Sequence, residues 1–234
     1  MIGIVVVSHS PALADAAVAL ALDMAGGTPP RVAVAAGAGG GVFGTDAVAV
    51  AAAIDEVAGP DGVLVFMDLG SAVLSAGMAL EFTTTDAPVR LSTAPFVEGV
   101  VAGIVLAAAG ASLDEADREA AGAMTAKNAQ LAGPGAAPAA ASLPTTGAVE
   151  VTLVNPLGLH ARPAAAIVAA LAEVDATVTV STGSAPGVSA KSLMGLMSLG
   201  AQQGAVLRIE ASGADAAVAV ETIRAMAEAG FGEV

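Results

Sequence analysis

The chain has two histidines in 234 residues, and each stands where a strand-like run gives way to a helix-like one: His9 in "IVVVSHSPALADAA" and His160 in "NPLGLHARPAAA". A neutral imidazole is nucleophilic near pH 7, and a phosphoryl group carried on it is readily passed onward. The first amides of a helix have no intrahelical acceptor and, with the helix dipole, favour an anion. His160 has that setting, with Pro163 in the first turn, where a missing N–H costs nothing. Arg162 adds a planar cation suited to phosphate oxygens. Taken alone, His160 reads first as an ordinary helix cap; the imidazole, amides and arginine together make a candidate phosphohistidine site.

The same logic applies to His9, which precedes a helix beginning near Pro11. Asp68 ends a strand-like run in "FMDLGSA" and can accept a hydrogen bond from one ring nitrogen, orienting the other for attack. Ser8, Ser10, Gly70 and Ser71 are candidate phosphate donors from adjoining loops. As isolated residues, Ser-His-Ser equally suits a polar strand end. A hydrolase built on Ser, His and Asp is the other reading, but no Gly-x-Ser-x-Gly elbow supports it.

The elements that must position these residues fall into two sets. "IGIVVV" (2–7), "RVAVAAG" (31–37), "GVLVFMD" (62–68) and "VRLS" (89–92) read as strands. Helical patterns at about 11–25, 45–58, from Ser71, 96–109 and 113–131 separate and follow them. This alternation predicts an α/β domain over residues 1–132, a parallel sheet with helices on both faces. Ligands of such sheets sit at the carboxyl ends of strands, where His9 and Asp68 fall. Residues 133–147, "GPGAAPAAASLPTTG", read as a solvated Pro/Ala/Gly linker. Fully extended, it reaches about 45 Å. Residues 148–234 then run β-α-β-β-α-β-α, which suits a small α+β domain with an open sheet covered on one face.

Composition narrows the function. Without cysteine there are no disulfides and no thiolate chemistry, and two histidines make structural zinc very improbable, so no metal or cofactor is expected. A net charge of −14 argues against nucleic-acid binding, and the lack of Trp and Tyr argues against stacking on bases. Mean hydropathy is high at +0.79. However, no uninterrupted apolar run approaches the roughly 18 residues of a membrane span, and no signal peptide is evident. A cytoplasmic protein is the simpler expectation.

The string "NPLGLHARPAAAIV", followed by "GVSAKSLMGLMSLGAQQGAVLRIEASG", strongly resembles HPr, the histidine phosphocarrier of the phosphoenolpyruvate-dependent phosphotransferase system. The resemblance implies that His160 is phosphorylated on Nδ1 and that Arg162 stabilises the phosphate. It matches Ser192 to a serine that some relatives use for regulatory phosphorylation, although helix capping is the favoured reading here. It also makes Leu193, Met194 and Met197 an apolar docking patch, unless they are core. One departure stands out: the helix after His160 reads "AAAIVAALAEV", without the usual lysines. Residues 148–234 carry four basic and eight acidic residues, so electrostatic steering towards Enzyme I should be weaker than in the usual pair.

Residues 1–132 resemble mannose-type IIA domains and, more narrowly, the phosphoryl-donor subunit family of phosphoenolpyruvate-dependent dihydroxyacetone kinases. The strings carrying this are "VVSHSPALA", "GTDAVAV", "VLVFMDLGSAVLSAGMALE" and "VRLSTAPFVEG". By this resemblance His9 carries phosphate on Nε2, Asp68 orients it, and the first domain forms a homodimer. The chain is expected to be a phosphotransferase component. Enzyme I would charge His160, His160 would charge His9, and His9 would deliver to ADP on the nucleotide-binding subunit of dihydroxyacetone kinase. The chain ends without a third, Enzyme-I-like domain, so its phosphoryl group is expected in trans. The alternatives are the IIA component of a mannose-type sugar permease, a regulatory phosphocarrier that binds a target protein, and a pure scaffold.

Overall fold

A computed structural model describes residues 1–25, 28–132, 148–183 and 187–233. The chain divides into two compact units, Met1–Met124 and Thr125–Val234. The expected linker at 133–147 lies outside the described residues.

In the first unit, strands β1 (Gly3–Ser8), β2 (Val32–Ala36), β3 (Val63–Met67) and β4 (Val89–Leu91) form one sheet in the order β2-β1-β3-β4. Every pairing in it is parallel. β1 and β3 are central and buried along their whole lengths, which is why they read as unbroken apolar runs. Helices α1 (Pro11–Met24), α2 (Ala47–Val57), α3 (Gly70–Ala79) and α4 (Phe96–Ala108) follow the strands in turn. α2 packs with α3, and α1 with α4, as right-handed crossovers from this strand order require. Val5, Val7, Val63 and Val65 meet Val50, Ile54 and Val57 on the α2/α3 side. On the other side the buried Phe66 ring lies against Gly99 and Gly103 of α4, where an added Cβ at Gly103 would come within 2.4 Å of it. Burial of each such side chain stabilises the fold by about 1.5–3 kcal/mol.

The expected single helix over 113–131 is two, α5 (Leu113–Ala121) and α6 (Ala123–Ala132), interrupted at Gly122. Gly122 caps α5, donating its N–H to Arg118 and Ala120 carbonyls. Glycine is a weak helix former, about 1 kcal/mol less favourable than alanine in a helix interior. Ser112 and Glu115 form a reciprocal capping box at the start of α5.

The second unit has an antiparallel sheet of β5 (Val149–Thr152), β6 (Thr177–Thr182), β7 (Val188–Ser189) and β8 (Val206–Ser212), in the order β5-β8-β6-β7. Alternate residues of β6 and β8, among them Val178, Val180, Leu207 and Ile209, point into the core. Helices α7 (Ala161–Ala170), α8 (Leu193–Ser198) and α9 (Ala216–Glu228) complete the expected α+β order. A 3-10 turn over Gly230–Gly232 follows α9, which the sequence pattern did not signal.

Leu193 and Met194 are buried, and Met197 is half-buried. The first two therefore belong to the core rather than to an exposed patch. Ser192 caps α8, its Oγ accepting from the Gly195 N–H at 2.9 Å. Among the described residues no helix is long and apolar enough to cross a membrane.

Candidate functional site

The order β2-β1-β3-β4 reverses direction between β1 and β3, the switch point at whose carboxyl ends ligands of such sheets bind. The register pairs Val7 with Met67, so Ser8 and His9 emerge beside Asp68. The Asp68 carboxylate collects four donors. Oδ1 takes the His9 ring at Nδ1 (2.8 Å) and the Leu69 N–H (2.6 Å). Oδ2 takes the Ser8 hydroxyl and the His9 backbone N–H, both at 2.9 Å. Burial opposes the charge of Asp68, but hydrogen bonds from the His9 N–H, the His9 ring, Ser8 and Leu69 outweigh it. They hold the carboxyl below its ordinary range. An ionised acceptor at Nδ1 fixes that nitrogen as the protonated one. Nε2 is then the lone-pair nitrogen, and it faces the Ser71 hydroxyl.

The other candidates divide by role. Ser8 is fully buried behind the carboxylate, donating to Asp68 and accepting from Ser10 N–H at 3.1 Å. Ser10 caps α1, accepting from Leu13 N–H at 3.3 Å. Gly70 and Ser71 open α3, whose start has no side-chain cap. An added Cβ at Gly70 meets nothing within 4 Å, so space remains above that helix start. Thr45 was not foreseen. Its hydroxyl lies 2.8 Å from Ser75 Oγ and ties the β2–α2 loop to α3.

His160 occupies the N-cap position of α7, but its side chain makes no capping bond. Its Nε2 is instead 2.8 Å from Oε1 of Glu233, beyond the last helix. Asn155 joins them: its Nδ2 donates to the Gly158 carbonyl at 2.7 Å and to Glu233 Oε2 at 2.9 Å. Burial raises the cost of Glu233's charge, but bonds from Asn155 and His160, the positive charge of Arg162 and that of His160 when protonated hold its carboxyl below the usual range. Arg162 itself is exposed in the first turn of α7. Gly158 turns the loop at φ +65°, and a Cβ there would stand 2.2 Å from the Ala201 carbonyl oxygen. Only glycine lets the loop approach that closely.

Sequence reasoning missed Glu233 and assigned Asn155 no role. The available signal was the Gly-Phe-Gly run before Glu233, a turn after a helix that returns an acidic residue to the body. Among the described residues no group of three His, Cys, Asp or Glu is arranged to hold a metal ion. Each site holds one imidazole with a ring nitrogen set against a carboxylate, beside a helix start suited to an anion. This is the equipment of a nucleophile that receives and releases a phosphoryl group.

Comparison with known proteins agrees in both halves. A family model described as "PTS system fructose IIA component" matches residues 3–117, and one described as "PTS HPr component phosphorylation site" matches 148–229. The phosphoryl donor subunit DhaM of the PEP-dependent dihydroxyacetone kinase of Klebsiella michiganensis is 39% identical over 244 residues, covering 100% of this chain and 51% of its own. The chain thus spans about half the length of that relative. The DhaM of a Listeria innocua PEP-dependent dihydroxyacetone kinase 2 is 36% identical over 101 residues, 42% of this chain and 80% of its own. The phosphocarrier protein HPr of Xylella fastidiosa is 39% identical over 84 residues, 36% of this chain and 93% of its own.

Proposed function

The chain belongs to the DhaM family of phosphoryl donor subunits, with an HPr module as its second part, and from that premise we propose that it is a two-step phosphohistidine relay. Enzyme I, charged by phosphoenolpyruvate, phosphorylates His160; His160 passes the group to His9; His9 delivers it to ADP on the nucleotide-binding subunit of dihydroxyacetone kinase. Asp68 orients His9, Ser71 and the start of α3 receive the phosphate there, and Arg162 with the start of α7 receives it at His160. Residues 1–132 and 148–234 act as the two carriers and 133–147 as their tether. The relay works in the cytoplasm, where both phosphoenolpyruvate and ADP are available, as a homodimer through the first module.

The observation that carries this reading is that the two carboxylates engage opposite ring nitrogens. Asp68 takes Nδ1 of His9 and Glu233 takes Nε2 of His160. His9 is left to react at Nε2 and His160 at Nδ1, the nitrogens that the two family resemblances assign. Each transfer is an in-line displacement at phosphorus, in which positioning and charge stabilisation dominate.

The test follows labelled phosphate from phosphoenolpyruvate through Enzyme I into wild type, His9→Ala and His160→Ala, with the ADP-loaded kinase subunit added last. Acid-labile label on both histidines, discharged to ADP only when His9 is intact, is expected. Efficient labelling of His9 in His160→Ala without added HPr removes the internal relay. Label that stays on the protein moves the acceptor to a sugar-specific IIB component or a regulatory target.

A further inference from the structure

We infer that Glu233 is the positioning residue of His160: its carboxylate keeps the ring proton on Nε2, so that phosphate passes from His160 to His9 without any proton changing nitrogen. The inference rests on the relay proposed above, and it concerns a residue outside the segment that matches the HPr model, which stops at 229.

Three features of the chain's end point to a built contact. α9 finishes at Glu228, and Gly230, Phe231 and Gly232 then take φ values of +59°, +54° and +77°. Phe231 is the only described non-glycine residue with positive φ. A left-handed backbone is costly for such a residue and persists where the surroundings demand it. The turn brings Glu233 back to the His160 ring, and its N–H is secured on the Gly230 carbonyl at 2.9 Å. Finally, the buried Asn155 commits its amide N–H groups to Gly158 and Glu233, although its Oδ1 then has no hydrogen-bond partner among the described residues. An orphaned buried acceptor and a strained turn are two local costs incurred at one carboxylate. The charged groups facing it are the His160 ring, when protonated, and Arg162.

The chemistry follows with atoms in balance. When His160 is charged, its Nδ1 lone pair forms the N–P bond while the donor's bond to phosphorus breaks and its electrons leave with the donor. The ring becomes cationic, with its proton still on Nε2 against Glu233. In the next step the Nε2 lone pair of His9 forms the new bond, and the Nδ1–P electrons return to His160. That ring becomes neutral again, with Nε2 still protonated. His9 becomes the cation, its proton held on Nδ1 by Asp68. A leaving imidazole that keeps its opposite proton departs neutral rather than as an anion, so each carboxylate assists release as well as attack.

The test uses the full chain and two readouts. Long-range proton–nitrogen NMR of the unphosphorylated chain reads the His160 tautomer. Rapid-quench transfer from charged His160 to His9, in ordinary and heavy water, reads the step itself. Wild type is expected to hold the Nε2–H tautomer and to show a solvent isotope effect near unity. Glu233→Ala should release the tautomer and slow transfer about tenfold, the scale of one charge-assisted hydrogen bond. Glu233→Gln leaves one oxygen for two donors, the His160 ring and the Asn155 amide, and should hold the tautomer only in part. Gly232→Ala, which disfavours the turn without a steric clash, should reproduce part of the alanine phenotype. An unchanged tautomer together with an unchanged rate in Glu233→Ala overturns the inference, as does a large solvent isotope effect in wild type. If wild-type His160 is never charged, the relay fails, and the tautomer measurement still decides whether Glu233 holds the proton.

Discussion

Replacing Asp68 by Asn removes one charge and almost no volume, which makes it the sharpest probe of the His9 site. The carboxylate accepts four hydrogen bonds, two on each oxygen. An amide retains one oxygen, so two donors must face its NH2 group whichever way it turns. With NH2 towards His9 Nδ1, the ring can accept only by moving its proton to Nε2, which removes the attacking lone pair and leaves the Leu69 N–H orphaned. With NH2 towards Ser8, the hydroxyl can turn to accept, but the His9 backbone N–H is orphaned and Nδ1–H loses its ionic acceptor. Either arrangement forfeits a bond to a charged group, worth about 1.5–3 kcal/mol, and an unsatisfied donor costs about 1–3 kcal/mol. We expect the first module to be destabilised on that scale. Transfer to His9 should slow at least about tenfold, rising towards about ten-thousandfold if the wrong tautomer dominates, as when the orienting carboxylate of a Ser-His-Asp triad is changed to its amide. Quenched-flow transfer from charged His160, read as label on the His9 peptide, measures it, with circular dichroism as the folding control. A variant that folds and charges His9 as fast as wild type refutes the orienting role.

The same carboxylates set an acid limit. Asp68 and Glu233 are both held below their ordinary pKa, so their bonds contribute stability fully above the unfolded-state values. That contribution is lost as pH falls through the depressed folded values; thermal scans of the full chain below about pH 4 should show a smaller acid loss in Asp68→Asn than in wild type. Gly158→Ala places a Cβ 2.2 Å from the Ala201 carbonyl oxygen at a left-handed position, and should cost the second module more than the roughly 1–2 kcal/mol of backbone strain alone. A calorimetric scan that leaves that transition unmoved contradicts the loop geometry. Gly103→Ala drives a methyl into the buried Phe66 ring, a cost of about 1–3 kcal/mol that Phe66→Leu should partly relieve in denaturant titrations. Ser192→Ala should lose about 1 kcal/mol of capping, whereas Ser192→Asp, still able to accept from Gly195 N–H, should lose little.

Much of this fold and site is legible in the sequence alone. β1 and β3 are buried on both faces, so their apolar runs are unmistakable, and His9 and Asp68 at their ends mark the switch point. His160 is legible because a helix start leaves its mark in neighbouring residues, here Pro163 and Arg162. The break at Gly122 is not legible, because alanine on both sides keeps the helical pattern intact across it. Ser8 is legible as part of the site but not as the buried member behind Asp68, since strand alternation alone does not say which serine faces the carboxylate. Glu233 is invisible to periodicity altogether. It stands 73 residues from the histidine it touches, on a turn whose path depends on three consecutive left-handed residues.

The charge distribution bears on the second step of the proposed relay. Residues 1–132 carry four basic and fourteen acidic residues, and 133–234 four basic and eight acidic, so both partners in the transfer are negative before phosphate adds to one of them. Encounter is then opposed rather than steered by charge, and attraction must come from apolar surface. Phe43, next to Gly44 whose N–H bonds the His9 carbonyl, and Leu74 of α3 are 76% and 70% exposed, and Leu157 is 72% exposed in the loop before His160. The consequence is measurable with separate molecules: a His9→Ala chain charged at His160 as donor, and a His160→Ala chain as acceptor. Raising ionic strength from about 0.01 M to about 0.15 M shortens the screening length from about 30 Å to about 8 Å. The bimolecular rate should therefore rise several-fold, whereas pairs of opposite charge slow under the same change. A rate that falls with salt means that a local basic feature, Arg162 foremost, outweighs the net repulsion at the moment of docking. Phe43→Ser should then slow transfer at every salt concentration, because the apolar contact it removes is not screened.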